Sequence, residues 1–197
     1  MEHERHNLFD RIAGLYGLFF EFQTNKYGKL FDKIYNELDL FLYRDAIDFG
    51  CGTGALCSEL SRRGFRVTGV DSSNEMLKVA KKKLIGGSVN LVSANIVQGV
   101  PFENKSFDVS VASFVAHGLQ PGDRKALYGE MQRVTKHMIL IYDYNEKRSV
   151  LTNIAERLEG GDYFNFIKNI KTELDGCFDN LRVIDLGNHA SCYVIKL

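Results

Sequence analysis

Apolar side chains near the start of the chain recur at every third or fourth position. Leu8, Phe9, Ile12, Leu15, Tyr16, Phe19 and Phe20 fall on one helical face. Tyr27, Leu30, Phe31, Ile34, Tyr35 and Leu38 fall on another, which predicts two amphipathic helices separated by a turn at Thr24–Asn25. From residue 45 the rhythm changes to short apolar runs. Strands are expected at 45–49 (DAIDF), 66–70 (RVTGV), 89–93 (VNLVS), 107–112 (FDVSVA) and 138–142 (MILIY). Helices are expected between them at roughly 54–63, 74–84 and 123–135, with Ser72 and Glu75 as a capping box opening the second. Such alternation builds a mostly parallel sheet wrapped by helices on both faces.

The tail departs from that rhythm. A helix near 149–158 stops at Gly160–Gly161, and a second runs from about Asp162 to Gly176. Two strands then follow in succession, 180–186 and 191–196, joined by the tight link Gly187–Asn188. A link that short permits only an antiparallel hairpin, so the sheet ends with a reversed strand. The 197 residues suit a single domain, with 1–44 as an N-terminal helical lid and 45–197 as the core.

Composition narrows the function classes. Lys plus Arg and Asp plus Glu balance at 25 each, which gives no basic surplus for nucleic acid or an anionic membrane. No apolar run is long enough to span a bilayer, and the opening MEHERHNLFD is too charged for a signal peptide. Cys51, Cys57, Cys177 and Cys192 form no CxxC pair and lie in apolar patterns, as expected of buried, reduced thiols in a cytoplasmic protein without a metal site.

The chemistry is concentrated in DFGCGTGA, residues 48–55. A glycine-rich loop between a strand and a helix lets a ligand approach bare backbone and the amides of a helix N-terminus. The Gly-Lys-Ser/Thr ending of a phosphate-cradling P-loop is missing. Gly50, Gly52 and Ala55 satisfy the dinucleotide pattern G-x-G-x-x-G/A, and Asp71 closes the next strand where a ribose-binding acid belongs. Asp48 argues against a dinucleotide, because a carboxylate there would repel a pyrophosphate and attract an ammonium group. A turn that merely packs helix against strand is the plain structural alternative.

Three ordered segments, AIDFGCGTG, VTGVDSSNEMLKVAKKK and VPFENKSFDVSVASFVAHGL, resemble the signature segments of class I S-adenosylmethionine-dependent methyltransferases. The similarity covers about residues 5–145 and is greatest to the small-molecule branch that includes ubiquinone/menaquinone-biosynthesis enzymes. FDRIAGLYGLF resembles that branch's opening segment. The resemblance implies a Rossmann-like α/β fold: a doubly wound, seven-stranded, mostly parallel sheet with an antiparallel terminal strand and two N-terminal lid helices. It also implies S-adenosylmethionine as cofactor. Gly50, Cys51, Gly52 and Gly54 would form the loop around it, Asp48 would help hold its amino group, and Asp71 would accept from both ribose hydroxyls. Ser72 and Met76 would lie beside the adenine. Asn95 stands where the family usually has aspartate and would take the adenine amino group, with Ile96 offering a backbone amide.

Methyl transfer from a sulfonium by in-line displacement needs chiefly alignment, and a base only where the acceptor must lose a proton. His117, in FVAHGL, is the candidate base; the family often has two histidines there, and Gly118 replaces the second. Tyr142, Asp143 and Tyr144 end the fifth strand at the same rim, and Tyr16 of the lid is a further candidate. Tyr163 and Phe164 are candidates for the acceptor pocket. The expected acceptor is a small molecule, with neither nucleic acid nor membrane as partner. The rival readings are a non-catalytic cofactor-binding subunit that activates a partner enzyme and a nicotinamide-dependent oxidoreductase.

Overall fold

The computed structural model describes residues 13–14, 16–86, 88–145, 163–187 and 189–197. The chain folds as two compact units that divide between Ile96 and Val97. Its strands form a seven-stranded sheet in the order β3-β2-β1-β4-β5-β7-β6. The expected α/β architecture, mostly parallel with an antiparallel terminal strand, is present.

In the first unit, helix α1 (Phe20–Ile34) precedes β1 (Asp45–Phe49), α2 (Ala55–Arg62), β2 (Arg66–Asp71), α3 (Asn74–Lys83) and β3 (Val89–Ser93). β2 pairs in parallel with both β1 and β3. Ala46, Ile47 and Phe49 of β1 are fully buried, as a parallel strand covered on both faces requires. The expected turn at Thr24–Asn25 is absent. α1 runs through it, and the Thr24 hydroxyl donates 2.9 Å back to the Phe20 carbonyl, so the polar side chain is satisfied inside the helix. The break falls instead at Phe19. Leu8, Phe9, Ile12 and Leu15 of the first expected face lie outside the described residues.

Arg63, at the end of α2, fastens α1 to it. Arg63 donates to Glu59 at 2.6 Å, to Asp32 at 2.6 Å and to the Gly28 carbonyl at 3.1 Å, and its guanidinium lies over the Phe31 and Tyr35 rings. The expected Ser72–Glu75 capping box gives way to a simple cap one residue later. Ser73 is the N-cap of α3, its hydroxyl accepting from the Met76 amide at 3.1 Å, while Ser72 is exposed.

The second unit contains β4 (Phe107–Ser113), α4 (Pro121–Val134), β5 (Thr135–Tyr144), α5 (Tyr163–Asp175), β6 (Leu181–Asp185) and β7 (Ala190–Lys196). α4 starts two residues before the expected 123, because Pro121 carries a preset φ and no amide to satisfy at the first helical turn. It passes straight into β5, and Thr135 Oγ1 donates 2.6 Å to the Met131 carbonyl at the junction. β5 is longer than the apolar run 138–142, since β7 pairs with it antiparallel from Met138↔Lys196 to Tyr144↔Ala190. The hairpin closes β6 against β7, as its short link demanded, with β7 lying between β5 and β6. The helix expected near 149–158 lies outside the described residues, as does Asn188 of the hairpin link.

α4 and α5 are tied by a buried ion pair that the sequence pattern did not announce. Arg124 (2% exposed) donates through Nε to Glu173 at 2.8 Å, through Nη2 to the same carboxylate at 2.9 Å and through Nη1 to the Leu119 carbonyl at 2.7 Å. Glu173→Ala, which takes the carboxylate away from a buried guanidinium, should lower stability by about 3–5 kcal/mol in urea unfolding. Asp32→Ala, at a carboxylate 71% exposed, should cost less than about 1 kcal/mol.

Candidate functional site

The first unit builds a cradle around the carboxyl end of β1. Gly50, Gly52 and Gly54 all have positive φ, at 73°, 52° and 82°. Their duties differ. A Cβ on Gly54 would come within 2.8 Å of Leu84 Cδ1 and 3.2 Å of Ala80, so this glycine seats α2 against the end of α3. A Cβ on Gly52 would meet nothing within 4 Å, so bare backbone there faces open space. The loop is rigid because its amides are spoken for: Gly50 and Cys51 donate to the Val70 carbonyl at 2.8 and 3.0 Å, and Gly54 donates to Cys51 at 2.9 Å.

Asp71 holds the cradle in shape. One carboxylate oxygen accepts from the Gly52 amide and the other from the Ser73 amide, both at 2.8 Å. Its carbonyl accepts from Ala94 at 3.1 Å, beside Asn95 and Ile96, both half-buried. A carboxylate has about four acceptor positions and no donor, the chemistry that a pair of ribose hydroxyls calls for. Of the residues expected beside the adenine, Ser72 is exposed and Met76 is buried in the core.

Asp48 lies beneath the loop, 1% exposed, and accepts from the Cys57 thiol at 3.3 Å. Burial pushes its carboxyl up from 3.8 to about 7; the Cys57 bond opposes the rise and the charge of Asp71 adds to it. Cys57 itself is pushed well up, first by its bond from Cys51 and then by burial, and so remains a thiol. Sequence reasoning missed Cys57. It also missed Gly69 of β2, where a Cβ would come within 2.8 and 2.9 Å of the Cys57 and Cys51 sulfurs. A glycine inside a strand was the available signal for that close approach. These residues fit S-adenosylmethionine: open backbone at Gly52, a ribose-type carboxylate at Asp71, and a buried carboxyl at Asp48 that an ammonium group would draw into its ionised form.

In the second unit, His117 lies in a short 3-10 turn (Ala116–Gly118) after β4, and Asp143 lies near the end of β5. They are partners. His117 Nδ1 is 2.8 Å from Asp143 Oδ1, and the His117 amide donates to Oδ2 at 3.3 Å. The Tyr144 amide also donates to Oδ1, at 2.8 Å, so this fully buried carboxylate has three donors. A carboxylate at Nδ1 places the neutral ring's proton there and leaves Nε2 with the lone pair. Aromatic rings surround the pair: Tyr144 lies 4.8 Å and Phe166 6.4 Å from the imidazole, centroid to centroid. Burial pushes the Tyr142 hydroxyl up, with Cys192 and Asp143 adding to the rise, so at neutral pH it is a neutral phenol. Tyr16, in the first unit, is half-buried. Tyr163 and Phe164 open α5, but their side chains lie outside the described set. Among the described residues no three His, Cys, Asp or Glu side chains converge to hold a metal ion.

Residues 46–138 match the methyltransferase domain family. Over that stretch, just under half of its length, the chain resembles a methyltransferase domain. It is 32% identical over 132 residues to a demethylmenaquinone methyltransferase of Thermotoga maritima, a match spanning 66% of this chain and 56% of that protein. A methyltransferase of Alkaliphilus oremlandii is 26% identical, covering 84% of this chain and 80% of the relative. Among solved structures, an S-adenosyl-L-methionine-dependent methyltransferase fold from Methanococcus maripaludis superimposes with a TM-score of 0.71 at 19% identity, over 94% and 92% of the two chains. Magnesium protoporphyrin IX methyltransferase from Synechocystis, solved with bound SAH, gives 0.62 at 13% identity, over 88% and 82%.

Two outcomes check this cradle. Asp71→Ala should weaken S-adenosylhomocysteine binding by about 1.5–3 kcal/mol in calorimetric titration. Asp48 retains its proton when folded and releases it when unfolded between 3.8 and about 7. Its contribution is therefore favourable at low pH and is lost as pH rises through about 7. The stability of Asp48→Asn relative to the parent should rise across that window, by up to about 4 kcal/mol at 1.36 kcal/mol per pKa unit. Parallel denaturation curves at each pH would measure it.

Proposed function

We propose that the protein transfers a methyl group from S-adenosylmethionine to a small-molecule acceptor by in-line displacement, with His117 as general base. When bound, the cofactor supplies an electrophilic methyl group on a sulfonium and leaves as the neutral thioether. Asp71 and the bare backbone at Gly52 would hold its ribose and methionine portions, and ionised Asp48 would hold its ammonium. His117 Nε2 would take the acceptor's proton as the nucleophile attacks, and Asp143 would steady the imidazolium that results. Tyr16 would close over the cofactor, and Tyr163 and Phe164 would line the acceptor site. The observation that carries this reading is the 2.8 Å His117–Asp143 contact, which gives the candidate base a fixed tautomer.

Two further facts favour a small acceptor. The relatives include a demethylmenaquinone methyltransferase and a ubiquinone biosynthesis O-methyltransferase. Acidic and basic residues are equal in number, which offers no overall attraction to nucleic acid. A cytoplasmic setting agrees with the free thiols of all four cysteines.

Incubating the protein and labelled S-adenosylmethionine with a cell extract should place label in the small-molecule fraction. His117→Ala should slow that transfer about 10²–10⁴-fold while S-adenosylhomocysteine binding stays as in the parent. Label in protein or RNA would keep the reaction and replace the acceptor. Turnover unchanged in His117→Ala would remove the base.

A further inference from the structure

Phe114, at the end of β4, has φ of 53°. A bulky residue in left-handed backbone is a true outlier and persists only where its surroundings hold it. Here its amide donates 2.8 Å to the Tyr142 carbonyl. Its ring packs 4.9 Å from Tyr142, 4.9 Å from Tyr144 and 6.5 Å from His117. An ordinary strand end would carry the chain past this position without strain. The conformation instead sets the ring among the aromatic side chains that flank the His117–Asp143 pair. Phe114, Tyr142 and Tyr144 are part-exposed, whereas His117 and Phe166 are buried. The cluster therefore has an accessible aromatic side adjoining a buried proton acceptor.

We propose that Phe114 determines acceptor choice by completing an aromatic platform that selects a flat ring bearing an acidic hydroxyl. This deepens the reading of His117 as the acceptor's base and rests on it for the chemistry, though not for the binding. Aromatic faces and edges favour a planar guest in offset or edge-to-face packing. A phenol-type hydroxyl ionises near pH 10, close enough for an imidazole to assist, whereas an aliphatic alcohol lies far above that range. An ammonium guest would need an exposed carboxylate. Asp143 is fully buried and already accepts three N–H donors. An anionic guest would need a cation at the platform. Among the described residues the cation over this cluster is Arg124, 5.4 Å from the Phe166 ring, and Glu173 neutralises it.

The test uses the full chain with saturating S-adenosylhomocysteine and a matched pair of probes, catechol and cyclohexane-1,2-diol, which share their hydroxyls but differ in flatness and acidity. By ligand-observed NMR titration, catechol should bind at least about fivefold tighter, the value of one or two aromatic contacts. Phe114→Gly, in which glycine accepts the left-handed backbone, should keep the fold and reduce that preference to within about twofold. Phe114→Leu, which keeps bulk without the ring, should do the same, with the S-adenosylhomocysteine Kd unchanged in both. Equal binding of the two probes by the parent, or a preference that survives both variants, would overturn the proposal. Labelled methyl supplied alongside separates the two readings. Catechol bound selectively but not methylated would leave the platform standing and remove the catalytic role of His117. Failure to bind S-adenosylhomocysteine would strike the cofactor reading, while titration of the probes alone would still decide on the platform.

Discussion

The Asp71 carboxylate fixes the edge of the first unit where the glycine loop lies. Its two oxygens bind the Gly52 amide and the Ser73 amide, and its own carbonyl receives the Ala94 amide. One residue thus joins the loop after β1, the cap of α3 and the chain leaving β3. Net stabilisation from charge-assisted bonds of this kind is about 1.5–3 kcal/mol each, modest beside the core. Their effect on geometry is larger. They hold the Gly52 backbone in one of the many conformations open to a free glycine, and so prepay ordering that a bound ligand would otherwise have to impose.

Beneath the same loop, Asp48 is a buried carboxylate whose proton affinity is set by exclusion of water. Burying such a group is costly without a counter-charge, and among the described residues its donor is a thiol, a weak one. A stability loss built into the empty protein, and relieved when a cation arrives, is what a site for an ammonium-bearing cofactor would entail. Cys51, Cys57 and Gly69 pack the underside of the loop closely enough that no larger residue at 69 would fit without moving a sulfur.

Much of this was legible in the sequence. Strands with buried faces announced themselves as short apolar runs, and the spacing from DFGCGTGA to Asp71 located the cradle. What failed was local and has local causes. Thr24 bonds back to its own helix instead of ending it, and two adjacent serines left the cap of α3 ambiguous until Ser73 bonded the Met76 amide. β5 outgrew its apolar run because β7 pairs along its length, a contact no local pattern encodes. The pairing of His117 with Asp143 and the left-handed backbone of Phe114 likewise depend on chain segments far apart in sequence. Each candidate could be named alone, but their partnership required the fold.

The placement of β7 has a consequence for how the second unit is made. β5 contains MILIY, an uninterrupted run of high β-propensity without charge or proline, and β7 occupies one of its two edges. On a ribosome that edge stays open until Ala190–Lys196 has been synthesised, an interval on the order of seconds at about 5–20 residues per second. An apolar strand edge left unpaired that long is a template for another nascent chain. The insertion that completes the sheet therefore makes protein yield in the cell depend on chaperone supply and translation speed, independently of how stable the finished molecule is.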